Sequence, residues 1–212
     1  HSLPIHEKKF ETSSCVSLSF KLPEDLQEQF RFEAGQYLTF RTWINGEEVR
    51  RSYSLCSSPT EKELRVAIKK VPMGKFSTHA VEHISTGDSL DVMPPMGHFV
   101  KHSSEKNATY VMVAAGSGIT PIMSLIKDIL GKEPGAQIIL FYGNRSTDQI
   151  IFKEEIESLK NRYMERLLVY YIMSQEDQEA PLFNGRINEE KFGKFCDLIF
   201  SPDAISEYFI CG

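Results

Sequence analysis

Arg50-Arg51-Ser52-Tyr53-Ser54-Leu55-Cys56-Ser57-Ser58-Pro59 puts a cation, an aromatic ring and several hydroxyls in one short extended stretch. A guanidinium can neutralise a phosphate, and a phenol ring can cover a flat heteroaromatic. A neighbouring hydroxyl could then hydrogen-bond to that ring's edge. The same residues also suit an edge strand running into a polar turn at Pro59, and the stretch alone does not decide. Val71-Pro72-Met73-Gly74-Lys75-Phe76-Ser77-Thr78 leads into a short helix expected over 78–84, with Ser77 or Thr78 as N-cap. Gly74 lets backbone approach a ligand closely, and the free amides of a helix start favour an anion. A capped connecting helix without a ligand is the plainer alternative. Gly116-Ser117-Gly118-Ile119-Thr120-Pro121 follows an apolar run and opens a helix expected over 122–130, with Thr120 as N-cap and Pro121 at the first helical position. Two glycines and a helix start can seat a pyrophosphate, although proline stands where a dinucleotide fingerprint has its third glycine.

These stretches need elements to position them. In the first half, residues 16–20, 36–41, 51–56, 64–69 and 90–93 read as short strands, the last stopping at Pro94-Pro95. Asn45-Gly46 between extended runs is a two-residue hairpin signal. Regular spacing with Gly, Pro and Asn turns points to a small antiparallel β-barrel. The polar run 101–107 has no periodicity, and beyond it strands alternate with helices. The expected division is a barrel over 1–104 and an α/β domain with a parallel sheet over 105–212. Residues 110–115 are continuously apolar, as a central parallel strand should be. Strands follow at 137–141, 167–173 and from 208, with helices expected at 151–160 and around 189–195.

Composition bounds the function. The chain has 212 residues and a net charge of −5, and no basic stripe, which argues against nucleic acid as a partner. Residues 1–106 hold 14 Lys/Arg and 14 Asp/Glu, so the whole excess lies in the second half. No apolar run suffices for a membrane span, and residues 1–10 lack the apolar core of a signal peptide. Four scattered cysteines form no CxxC pair, so reduced, cytoplasmic thiols are expected and no metal site is assigned. His79 and His83 could share a helix face. The last strand opens at its carboxyl end just where the chain stops, so the natural protein is expected to continue past Gly212.

Arg51-Ser52-Tyr53-Ser54-Leu55-Cys56-Ser57, Gly116-Ser117-Gly118-Ile119-Thr120-Pro121 and Tyr208-Phe209-Ile210-Cys211-Gly212 together resemble the ferredoxin–NADP⁺ reductase superfamily. Within it the chain is most similar to reductase components of bacterial oxygenases, especially those of phenylacetate degradation. The resemblance covers essentially the whole chain. It implies an FAD-binding barrel followed by a nicotinamide-dinucleotide domain that is incomplete at its C-terminal end. By position, Arg51 would neutralise the flavin pyrophosphate, Tyr53 would lie against the isoalloxazine, and Ser54 would bond near its N5. Lys69, Gly74, Lys75, Phe76, Ser77 and Thr78 would complete the flavin site. Gly116, Ser117, Gly118, Thr120, Pro121, Asn144 and Arg145 would hold the dinucleotide, with Cys211 beside the nicotinamide as an element of shape and polarity. Tyr53, Ser54 and Cys211 are thus the residues nearest the chemistry, which is direct hydride passage from NAD(P)H to flavin without a general base.

The resemblance also implies a [2Fe–2S] domain, whose CxxxxCxxC pattern is absent from these residues and which would then lie beyond Gly212, and an oxygenase that accepts the electrons. No acid directly follows the second parallel strand to take the ribose hydroxyls. Arg145 stands there, able to pair with a 2′-phosphate, which leans towards NADPH over NADH; stacking on adenine or facing solvent is the alternative. Rival readings are a free-standing flavin reductase, the reductase half of a flavohaemoglobin, and a flavin-binding regulatory or interaction module. Neither the oligomeric state nor the acceptor is written in these residues.

Overall fold

The computed structural model describes residues 1–61 and 63–212. Two compact units emerge, one of His1–Lys101 with Thr120–Asp128, the other of His102–Ile119 with Ile129–Gly212.

The first unit is built on six antiparallel strands: β1 (Ser2–Thr12), β2 (Cys15–Phe20), β3 (Tyr37–Ile44), β4 (Glu47–Ser54), β5 (Leu64–Lys69) and β6 (Ser89–Met96). Their order is β4-β3-β6-β1-β2-β5, and a bridge between Leu55 and Val66 joins the two ends into the expected barrel. Alternation fills the interior with Leu3, Ile5, Val16, Leu18, Phe20, Leu38 and Phe40, among others. Asn45 (φ 52°) and Gly46 (φ 79°) both take the left-handed region, the geometry of a tight hairpin turn whose twist matches its strands. Helix α1 (Lys75–Glu82) lies between β5 and β6 and buries Phe76, Ala80 and Val81 against the same core.

Three expectations here are corrected. β1 was not foreseen, because only Leu3 and Ile5 are buried along it and the rest of its side chains face outward or are half-covered. β6 does not stop at Pro94-Pro95: pairing resumes at Tyr37↔Met96 after Thr39↔Met93, and the register shift between them accommodates two residues without N–H donors. Helix α1 starts three residues earlier than expected, with Gly74 at the cap position. Ser77 therefore lies inside the first turn rather than at the cap, where its hydroxyl accepts from Val71 N–H (3.2 Å) and reaches Gly74 O (3.3 Å).

The second unit carries the parallel sheet β10-β7-β8-β9, formed by β7 (Thr109–Ala115), β8 (Gln137–Asn144), β9 (Leu167–Met173) and β10 (Glu207–Cys211). Helices α3 (Lys153–Arg162) and α4 (Glu189–Leu198) belong to this unit, whereas α2 (Ile119–Lys132) is divided, its residues 120–128 counting with the first. On one face Val111, Val113, Ile139 and Ile172 close over an aromatic stack in which Phe141 and Phe195 lie 4.3 Å apart and nearly parallel. The guanidinium of Arg166 donates to the carbonyls of Leu130, Glu133 and Ala136, meeting the bare carbonyls where α2 ends.

Thr120 is not the N-cap of α2. The helix begins at Ile119, and Gly118 occupies the cap position. Pro121 is consequently the third residue, still within the first turn, where a missing N–H costs nothing. α3 begins at Lys153 rather than 151, after Phe152 in a left-handed conformation (φ 61°). Among the described residues, no helix is long and apolar enough to cross a membrane.

Candidate functional site

Strand β4 sets the first group of residues by simple alternation. Arg51 and Tyr53 project from one face, opposite Phe40 and Leu38 of β3, while Ser54 pairs with Tyr37 on the other. Tyr53 is half-buried, its ring 5.5 Å from Phe76 and 6.2 Å from Phe40. Burial pushes its phenol up to about 12, against a smaller opposing pull from Arg51, so the hydroxyl stays protonated at neutral pH. Phe76 is the second residue of α1, and its packing on Tyr53 brings the helix start, residues 74–78, beside β4.

Arg51 is exposed and donates to the carbonyl of Arg50 (2.7 Å). Lys75, in contrast, is tied to Glu47, whose carboxyl the bond and the charge hold below its usual range. A cavity of about 370 Å³ opens beside this pair, lined in part by Asn45, Glu47, Gly74, Lys75, Thr78 and His79. Its hairpin wall escaped sequence reasoning because Asn45 and Glu47 lie far from residue 75 along the chain. His79 and His83 do share a helix face, their rings 5.7 Å apart, and burial first, then His83, holds His79 below its usual pKa. Lys69 does not line that cavity; it lies half-buried at the end of β5, opposite Cys15.

In the second unit the carboxyl ends of three strands carry the remaining residues. After β7, Gly116-Ser117-Gly118 form one 3-10 turn, with Gly116 at φ 51°. Tyr142 of β8 donates its hydroxyl to Gly116 O (3.0 Å), fixing the turn to the sheet. A Cβ on Gly118 would lie 2.1 Å from the carbonyl oxygen of Cys211, so the turn and the end of β10 are in backbone contact. Burial raises the Cys211 thiol, which stays protonated at neutral pH. Ser117 is exposed, whereas Thr120 and Pro121 are buried in the first turn of α2.

Asn144 ends β8. It is 8% exposed, and neither its amide oxygen nor its amide nitrogen has a hydrogen-bond partner among the described residues. Such a group ordinarily finds a hydrogen bond or costs about 1–3 kcal/mol. Its neighbour Arg145 is exposed, and its side chain makes no hydrogen bond or ion pair among the described residues. Replacing Asn144 with the similarly shaped Leu is therefore expected to stabilise the ligand-free protein by about 1–2 kcal/mol. Thermal unfolding should show a midpoint raised by roughly 3–6 °C; a lowered midpoint would mean the amide already has its partners.

Comparison with known proteins bears directly on this arrangement. The oxidoreductase FAD-binding domain family matches residues 2–100, and the oxidoreductase NAD-binding domain family matches residues 112–212. The chain carries an oxidoreductase FAD-binding domain followed by an oxidoreductase NAD-binding domain. It is 40% identical over 213 residues to one component of the 1,2-phenylacetyl-CoA epoxidase of Escherichia coli (strain K12), covering all of the chain and 60% of that relative. It is 36% identical over 163 residues to the ferredoxin reductase component of 3-ketosteroid-9-alpha-monooxygenase from Rhodococcus rhodochrous, covering 76% of the chain and 46% of the relative. With the flavohemoprotein of Bacillus subtilis (strain 168) it shares 32% identity over 214 residues, 98% of the chain and 51% of the relative.

The chain thus spans 60% of the first of these relatives and about half of the others. Among solved structures, a ferredoxin NADP⁺ reductase from Neisseria gonorrhoeae with bound FAD and NADP superposes with a TM-score of 0.81 at 17% identity. The match covers 99% of this chain and 84% of that one, a likeness of fold.

Proposed function

We propose that the first unit binds FAD, the second binds a nicotinamide dinucleotide, and the chain draws reducing equivalents from NAD(P)H for an iron–sulfur centre and an oxygenase. The observation that carries the reading is the shared face of Arg51, Tyr53 and the start of α1. A cation, a half-buried ring and free helix amides together suit a ring joined to a pyrophosphate. The cavity beyond Lys75 extends that surface, and an FMN would leave this room unused, which favours FAD. In the second unit the orphaned Asn144 amide and the tight turn at Gly116 and Gly118 fit a phosphorylated ligand over the carboxyl ends of the strands.

When bound, flavin supplies the step from a two-electron donor to a one-electron acceptor. The chain's own residues have simpler tasks. Arg51 and the helix start hold phosphate charge. Tyr53 presents a neutral ring, and Ser54 a hydroxyl. Gly116 and Gly118 let backbone amides approach the second ligand, with Ser117, Asn144 and Arg145 around them. Cys211 bounds that site as a neutral thiol.

Identity with the epoxidase component along the whole chain supports phenylacetate degradation as the setting. Four free cysteines among the described residues support a cytoplasmic one. The likeness to flavohemoprotein favours a second reading, the reductase part of such a protein. Purified chain is expected to be yellow, to release FAD rather than FMN on heating, and to bleach anaerobically with a nicotinamide donor. A colourless protein that takes up no added FAD in a titration would overturn the proposal.

A further inference from the structure

Sequence order puts Arg145 where a doubly wound sheet reads the adenosine ribose, just past the second strand of the unit, and supplies no acid there. The folded chain brings the acid from the neighbouring strand. Past their formal ends β8 and β9 stay in register: Ser174 N–H donates to Asn144 O (3.0 Å) and Gln175 N–H to Arg145 O (2.8 Å). That pairing delivers Glu176 onto the segment after β8. Its carboxylate accepts from the Thr147 N–H (2.7 Å) and the Thr147 hydroxyl (2.6 Å). One residue on, Asp148 accepts from the Ser146 hydroxyl (2.5 Å). Both acids are held below their usual carboxyl range, Glu176 chiefly by Thr147 and Asp148 chiefly by Ser146, so both are charged at neutral pH.

Asp177 and Glu179 follow Glu176 in sequence. Among the described residues the cations near this end include Arg145 and Arg186, both exposed and neither paired with an acid, and Lys191, whose ammonium is held by the carbonyls of Leu182 and Asn184. The Asn144 amide, nine-tenths buried and without a hydrogen-bond partner among the described residues, lies at the carboxyl end of the same pair of strands and leaves polar capacity unmet beside this segment.

We propose that this unit prefers NADH to NADPH, and that Glu176, held over Thr147, is the specificity-determining residue. The inference rests on the reading of this unit as a dinucleotide site. A ribose carrying a free 2′-hydroxyl can donate it to a carboxylate, as it does to the acid beyond the second strand in doubly wound folds, and here Glu176 reaches that place from the third. A 2′-phosphate carries up to two negative charges and would meet Glu176 and Asp148 at close range. The lean towards NADPH drawn from Arg145 counted one cation and could not count an acid 31 positions later.

Two adenosine probes test this without turnover. Calorimetric titration of the 212-residue chain with 5′-AMP and with adenosine 2′,5′-bisphosphate should show the monophosphate binding roughly tenfold more tightly, the scale expected for like charges at a solvated surface. Glu176→Gln should close most of that gap while leaving 5′-AMP within about twofold to threefold of its original affinity. Tighter binding of the bisphosphate to the unaltered chain would overturn the preference, and that comparison needs no variant. An unchanged gap in Glu176→Gln would remove Glu176 from the role. Binding of neither probe would sink the dinucleotide-site reading and this inference with it.

Discussion

Gly118→Ala is expected to cost about 2–3 kcal/mol, the upper part of the range for forcing a methyl group into close-packed structure. The melting midpoint should fall by roughly 5–10 °C for a chain of this size. The reason is what the methyl would meet: Cys211 O at 2.1 Å, Cys211 C at 2.4 Å and Gly212 N at 2.7 Å, all backbone atoms. A flexible side chain could swing aside, but these atoms belong to the end of a strand paired with β7 along its length. Relief would require moving β10, and with it the thiol of Cys211. Gly131 supplies the control of opposite sign. It lies inside α2 with nothing within 4 Å of the place a Cβ would take, so Gly131→Ala should raise stability by about 0.5–1 kcal/mol through helix propensity. Circular dichroism melts of the two variants check both signs. An unchanged midpoint for Gly118→Ala would mean that the glycine serves only the approach of a ligand.

What was legible in the sequence was what repeats locally. The parallel strand Thr109–Ala115 announces itself because both of its faces are covered and nearly every residue is apolar. Asn45-Gly46 marks its hairpin because few residues tolerate two successive left-handed positions. β1 left no such trace, since its middle residues Glu7, Lys8 and Lys9 are charged and its outward positions outnumber its inward ones. The start of α1 was misplaced for a related reason. Ser77 has the chemistry of a cap, but Phe76 must be helical to reach the barrel core, so the helix begins before it.

At the candidate site the division is sharper. Arg51, Tyr53 and the two glycines of the turn lie on contiguous motifs and could be named from spacing. Glu47 and Glu176 could not, because each acts on residues about thirty positions away. Whether a candidate cation is available depends on such partners, which only the folded chain supplies.

Arg51→Ala is expected to weaken FAD binding at least tenfold and up to about a hundredfold, the loss of one or two charge-assisted bonds of roughly 1.5–3 kcal/mol each without full additivity. The size follows from how the cations around this face are committed. Lys70 is paired with Glu82 and Lys75 with Glu47, so each already spends much of its field on a carboxylate. Among the described residues Arg51 donates to a neighbouring carbonyl and acts on Glu47 through its field without an ion-pair contact, so its guanidinium stays open to an incoming anion. Glu47→Gln should act in the reverse direction, since it releases Lys75 towards the same helix start and removes a negative charge from the cavity wall. Fluorescence titration of flavin-free protein with FAD and with FMN checks both variants. If Arg51→Ala left the FAD affinity unchanged while Glu47→Gln raised it, Lys75 rather than Arg51 would be the cation that meets the phosphate. If both variants lost affinity equally, the loss would trace to the fold of the β3–β4 hairpin and not to charge.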